Sequence, residues 1–145
     1  MQEIPITTEQ EAAVTILFTC VLSEERTLSE SQVEHLSRML VLSSKFKGSS
    51  LNELTVQALT LQSKFAANDL IEFCGPLISE DFRETLFAMC CELLTANGSV
   101  NEKESKVLAM IALYLGLSIE TMRMMLTTYL IRNRWNVQVV EPEES

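Results

Sequence analysis

LFAMCCELLTANGSVNEKESKVLAMIAL, residues 86–113, holds the pattern that decides the fold. An apolar segment runs into a short polar loop, Thr95-Ala96-Asn97-Gly98-Ser99-Val100-Asn101, and a second amphipathic segment follows. Moving back by 72 positions gives VTILFTCVLSEERTLSESQVEHLSRMLV, residues 14–41, with the loop Ser23-Glu24-Glu25-Arg26-Thr27-Leu28-Ser29. Leu22 aligns with Leu94, Glu30 with Glu102 and Leu36 with Leu108, all identical. Val14/Leu86, Leu17/Met89, Val21/Leu93, Leu28/Val100 and Met39/Ile111 keep apolar character, whereas Val33/Ser105 does not. Self-similarity at a fixed offset points to a repeated structural unit. Here that unit is a helical hairpin present twice.

Working outward, the helix signals are local and physical. Thr8 with Glu11 forms a capping box, in which each side chain serves the other's backbone N–H. Ala13, Ile16, Leu17, Cys20 and Val21 then share one stripe. Ser29 with Gln32 repeats the box, with Leu28 and Val33 at the hydrophobic-staple positions. Gly48-Ser49-Ser50 ends that unit. A third helix carries Leu51, Leu54, Ala58, Leu61 and Phe65 at alternating steps of three and four, a narrow packing seam. Asn68 is expected to cap a short fourth helix that Gly75-Pro76 ends or kinks. Ser79 is expected to cap the fifth, with Glu80 and Asp81 in its first turn, and Asn97-Gly98 to stop it. Asn101 with Glu104 opens the sixth, whose core face is Val107, Leu108, Ile111 and Leu115. Gly116 ends it, and Ser118 starts a seventh helix through Arg132.

The expectation is therefore an all-α domain over residues 1–135, about seven helices, with two related hairpins packed around the third and last helices. Residues 136–145 should form a loose tail, where Glu141, Glu143 and Glu144 concentrate negative charge. A chain of 145 residues fits one domain, and 47% hydrophobic content supplies a core. Four Gly and three Pro leave few breaks, which favours long helices.

Charge narrows the function classes. A net charge of −9 without a dense Lys/Arg cluster argues against a nucleic-acid partner. The longest apolar run, 108–117, is far short of the roughly 20 residues a bilayer span needs. The start lacks a basic and then apolar leader, so the expected setting is cytoplasmic, with no membrane partner. Cys20, Cys74, Cys90 and Cys91 show no C-x-x-C spacing and read as buried free thiols. His35 is the sole histidine and reads as a residue at the edge of an apolar face. No phosphate-cradling loop, nucleophile elbow or H-E-x-x-H motif is present. A non-enzymatic protein with no catalytic residues is expected.

The segment LLTANGSVNEKESKVLAMIALYLGL, residues 93–117, resembles the tellurite-resistance TerB-like family. The family's loop is alanine-aspartate-glycine, with a hydrophobic residue two positions later, a glutamate-rich helix opening and a leucine-glycine-leucine ending. Ala96, Asn97, Gly98, Val100, Glu102, Glu104 and Leu115-Gly116-Leu117 stand at those positions. The resemblance implies a compact helical module in a stress-response setting. It also implies that the loop's acidic residues bind a divalent metal. Here the candidates are Asn97, in the aspartate position, and Glu104, in the glutamate position; the first repeat offers Glu25, Arg26 and Gln32. A hard cation draws most affinity from carboxylates, whereas Asn97 offers a neutral carbonyl and Glu104 is claimed by its capping box. A divalent cation is thus the one cofactor the resemblance admits.

The last helix gives the partner expectation. Ile119, Met122, Leu126, Tyr129 and Leu130 form a stripe, and Met124, Met125 and Ile131 spread apolar surface beyond it. A helix apolar on most sides is expected at the centre of the core. The alternative is an exposed methionine patch for a protein partner or for self-association, with Trp135 as an anchor in either arrangement.

Overall fold

Burial on every side of one helix organises the molecule. In the structure, a computed structural model that describes residues 3–22 and 30–136, the first helix α1 (Glu9–Val21) is buried from Ala12 through Val21 without interruption. Those ten residues carry no charge, so no side chain demands water on any face. Their two hydroxyls are satisfied internally. Thr15 donates to the Glu11 carbonyl at 2.8 Å and Thr19 to the Thr15 carbonyl at 2.8 Å, while Gln62 donates to Thr19 Oγ1 at 2.8 Å.

The remaining elements are α2 (Glu30–Leu42), α3 (Leu51–Lys64), α4 (Ala67–Cys74), α5 (Arg83–Leu94), α6 (Glu102–Tyr114) and α7 (Ile119–Asn133). Short 3-10 turns occupy Ser44–Phe46, Gly75–Leu77 and Glu80–Phe82. The domain is all-α, with seven helices and no strand among the described residues. α3, α4, α5 and α6 pack directly on α1; α2 rests on α5, and α7 lies across α5 and α6. The core runs from Ile16, Leu17 and Phe18 through Leu70, Ile71, Leu86 and Phe87 to Leu108, Ile111 and Leu115.

The expected centre is corrected by this arrangement. α3 does contact the middle of the core, through Leu54, Ala58 and Leu61, but α7 does not form it. Asn133 is the only residue of α7 that counts as buried; Met122, Met125, Leu126 and Tyr129 are partly buried, packed from outside. The space at the centre is filled by α1.

The helix starts follow the sequence in most places. Thr8 and Glu11 form their capping box, and Ser118 caps α7, accepting Thr121 N–H at 3.0 Å. Ser50, expected only to end the preceding unit, in fact caps α3, accepting Glu53 N–H at 3.2 Å. Asn68 is not a cap: α4 begins at Ala67, and Ala66 holds the cap position without a side-chain bond. Ser79 is not a side-chain cap either, because its hydroxyl donates to Glu9 Oε2 at 2.6 Å and a 3-10 turn separates it from α5. The Ser29–Gln32 box and the Leu28 staple rest on 23–29, outside the described residues, as do 137–145 of the tail.

Gly75 is required where α4 meets α6. A Cβ there would lie 2.5 Å from the Tyr114 carbonyl oxygen, which no side chain permits. A second clamp gathers at the start of α1. Lys45 Nζ pairs with Glu9 Oε1 at 2.8 Å and sits 4.8 Å from the centre of the Phe82 ring, while Phe46 meets Phe82 edge to face.

Burial alone would raise the Glu9 carboxyl, but hydrogen bonds from Lys45 and from the Ser79 hydroxyl and N–H hold it below the usual 4.5. Glu11 is likewise lowered against its desolvation, by the N–H groups of Thr7 and Thr8, the Thr8 hydroxyl and Gln57. A carboxylate whose pKa falls on folding stabilises above its unfolded value, and that contribution is lost as pH drops through the folded value. The Glu9→Gln/Glu11→Gln variant should therefore melt below the wild type at pH 7, and the gap should close under acid. Melting curves that stay equally separated at pH 7 and at about pH 3 would contradict this.

Candidate functional site

The loop that carries the family resemblance is built as a clasp. Thr95 terminates α5, its N–H and its hydroxyl both bonding the Cys91 carbonyl, at 2.9 and 2.7 Å. Gly98 N–H then closes a turn on the Thr95 carbonyl at 2.8 Å. Gly98 has φ +91°, and a Cβ there would come within 3.1 Å of the Asn133 carbonyl oxygen. Glycine is thus fixed by conformation and by the close passage of the end of α7. Asn97 Oδ1 accepts the Ser99 N–H at 3.3 Å, the local bond an asparagine makes in a turn. Asn101 Oδ1 accepts Glu104 N–H at 2.8 Å, and Glu104 Oε1 accepts Asn101 N–H at 3.0 Å, completing the capping box.

The end of α7 locks onto this loop. Buried Asn133 donates from Nδ2 to Thr95 Oγ1 at 2.9 Å. Asn136 donates from Nδ2 to Asn133 Oδ1 at 2.9 Å and to the Ala96 carbonyl at 3.1 Å. A contact across 38 residues leaves no local signal. The one trace is that a polar Asn133 continues the inward stripe of Met122, Leu126 and Tyr129.

Asn97 and Glu104, the sequence's metal candidates, both act within the loop. The exposed Asn97 holds Ser99, and the half-exposed Glu104 holds Asn101. No three His, Cys, Asp or Glu side chains converge on a common point among the described residues. Of the first-repeat counterparts, Glu25 and Arg26 lie outside the described residues and Gln32 lies in α2.

The groups most capable of covalent chemistry are placed away from it. Cys20, Cys74, Cys90 and Cys91 are free and buried. Burial pushes the Cys74 thiol up to about 12, and burial with the neighbouring Cys90 does the same to Cys91. Cys20, whose Sγ also lies 3.9 Å from the Cys90 carbonyl, is held well above the ordinary thiol range by its side-chain hydrogen bond with Cys90 and by desolvation. Such thiols stay protonated and are poor nucleophiles at neutral pH. His35 does sit at a core edge, where Nε2 meets Glu92 Oε2 at 2.7 Å and ties α2 to α5.

The fold leaves large apolar side chains exposed on several helices, Val41 and Leu42 on α2, Val56 and Leu59 on α3, Leu113 on α6, and a set on and just beyond α7. Met124 and Ile131 are 63% and 55% exposed, Ile119 is 65% exposed, and Trp135 just beyond the helix is 89% exposed. Met124 and Ile131 lie seven residues apart, on one line along the helix, opposite Met122, Leu126, Tyr129 and Asn133.

The capping role of Glu104 has a direct check. Glu104→Gln can still make the box and should melt like the wild type, whereas Glu104→Ala should lose about 1 kcal/mol. Calcium, magnesium, manganese or zinc added to EDTA-treated protein should leave the midpoint unchanged. A bound metal at 100 times its dissociation constant would add about 2.7 kcal/mol. Such a gain, absent in Glu104→Gln, would make Glu104 a ligand.

No helix among the described residues is long and apolar enough to cross a membrane. No curated protein and no solved structure matches the chain. The family model described as "Tellurite resistance protein TerB" matches residues 11–126, from the capping box of α1 to the middle of α7. With most of its length covered, and with the all-α architecture above, the chain belongs to the TerB family.

Proposed function

We propose that this TerB domain is a non-catalytic module that works through protein contacts, and that the outer face of α7 is its contact surface. One observation carries the reading: a line of large apolar side chains, Met124 and Ile131 with Trp135, faces water on a helix whose other side is packed. Scattered apolar residues on a surface need no explanation, but two in line on one helix face with an exposed tryptophan just beyond the helix have the composition of an interface. Methionine suits such a surface because its flexible thioether adapts to different partners.

The rest of the molecule supports a non-enzymatic role. Its thiols are buried, its histidine is engaged with Glu92, and its family loop is consumed by capping and by the Asn133 clasp. Four free cysteines suit a reducing, cytoplasmic setting. The family's description names tellurite resistance, which is consistent with a stress-related setting for such a module. The occupant is a protein partner or a second copy of the chain. Among the described residues, no gathered set of donors favours the divalent-metal reading over this one.

Photo-crosslinking tests the surface. A diazirine amino acid at Met124 should yield a saturable, discrete adduct in cells, whereas the same group at Val56, an equally exposed apolar position on α3, should not. Indistinguishable patterns from the two positions would overturn the assignment of α7.

A further inference from the structure

We propose that the outer face of α7 docks an acidic amphipathic helix of another protein, rather than a second copy of this chain. The inference rests on the reading of α7 as the contact surface and adds the chemistry of its partner.

Charge distribution carries it. Residues 119–135 hold Arg123, Arg132 and Arg134 against Glu120 alone, a net +2, while the rest of the chain carries −11. All three arginines are exposed, and none is in an ion pair among the described residues. A cationic strip with an apolar centre therefore interrupts an otherwise acidic protein. Met124 and Ile131 supply the seven-residue spacing that one helix offers another across a packed seam. Arg123 flanks that line on one side and Arg132 on the other, by their positions around the helix.

Symmetric pairing of two α7 faces would bring like charges together, which disfavours the second copy. The acidic remainder of a second copy does expose apolar side chains, Val41 and Leu42 on α2 and Val56 and Leu59 on α3, but seating α7 on any of them is a head-to-tail contact that runs on into rings or filaments instead of closing as a dimer. A separate helix with leucine or a similar residue every third or fourth position, flanked by glutamates or aspartates, matches both the apolar line and its rim. Arginine adds planar, multi-donor hydrogen bonding that carboxylates complement.

The probe is a synthetic helix with a leucine seam and glutamate flanks, compared with its lysine-flanked twin and read by emission of Trp135, the sole tryptophan. Attachment of the lysine twin to the acidic remainder of the protein does not register at Trp135. The glutamate helix should shift the emission to the blue, and its affinity should fall at least about tenfold between 0.01 M and 1 M salt. In the Arg123→Glu/Arg132→Glu/Arg134→Glu variant, the shift should pass to the lysine twin. All three positions are exposed, and circular dichroism verifies that the variant is folded.

Equal shifts with both helices, or a shift with neither, would overturn the proposal. Met124 crosslinks then separate the two levels. Adducts at twice 16.3 kDa, or within one chain to residues 137–145, identify a second copy or the chain's own acidic tail as occupant; either overturns the acidic-partner proposal and keeps the contact surface. No Met124 adduct at all takes down both.

Discussion

The structure depends on the burial of α1 on all sides. Each of Val14, Ile16, Leu17 and Phe18 leaves water almost completely, which contributes about 1.5–3 kcal/mol per side chain. A helix hydrated on no face must find a neighbour in every direction, and α3, α4, α5 and α6 are those neighbours. Their mutual geometry follows from wrapping it. Gly75 lets the end of α4 reach the end of α6 closely, and Thr15 and Thr19 return their hydroxyls to the helix backbone so that no polar group opens the core. α2 and α7 are then outer helices, each with one side packed and one side free.

That division between inner and outer helices was the part least legible in the sequence. α1 and α7 are both apolar on several sides, and periodicity alone does not rank them. The distinguishing signal is charge: α1 has none between Ala12 and Val21, whereas α7 carries Arg123 and Arg132. A charged side chain needs water, so a helix holding two of them cannot be surrounded. Helix starts were readable where the bond is local, at Thr8–Glu11 and Asn101–Glu104. They were misread at Asn68 and Ser79. In the first case an ordinary extended Ala66 begins the helix, and in the second a distant Glu9 takes the hydroxyl.

The family loop shows how a recognisable motif can serve architecture. Ala96, Gly98 and Glu104 were legible as a motif, but their use depends on Asn133 and Asn136, which arrive from the far end of the chain. Close passage of α7 gives Gly98 a second constraint, and the Thr95 hydroxyl is bonded from both sides. The loop thereby anchors the C-terminal end of α7 while the middle of that helix keeps its outer side free. Fold and proposed function meet at this point: a helix tied down at its end presents Met124 and Ile131 on one line, with Trp135 just beyond it, and a pre-seated helix requires less ordering on binding.

The central claim is that α1 forms the centre of the fold and that the outer line of α7 contributes nothing to it. Denaturant unfolding of two variants tests this most directly. Met124→Ser/Ile131→Ser should change stability by no more than about 0.5 kcal/mol, the range of ordinary surface substitutions. Leu17→Ala should lose about 2–5 kcal/mol. A loss of that size from the α7 pair, or a small effect at Leu17, would place α7 in the core and contradict the account.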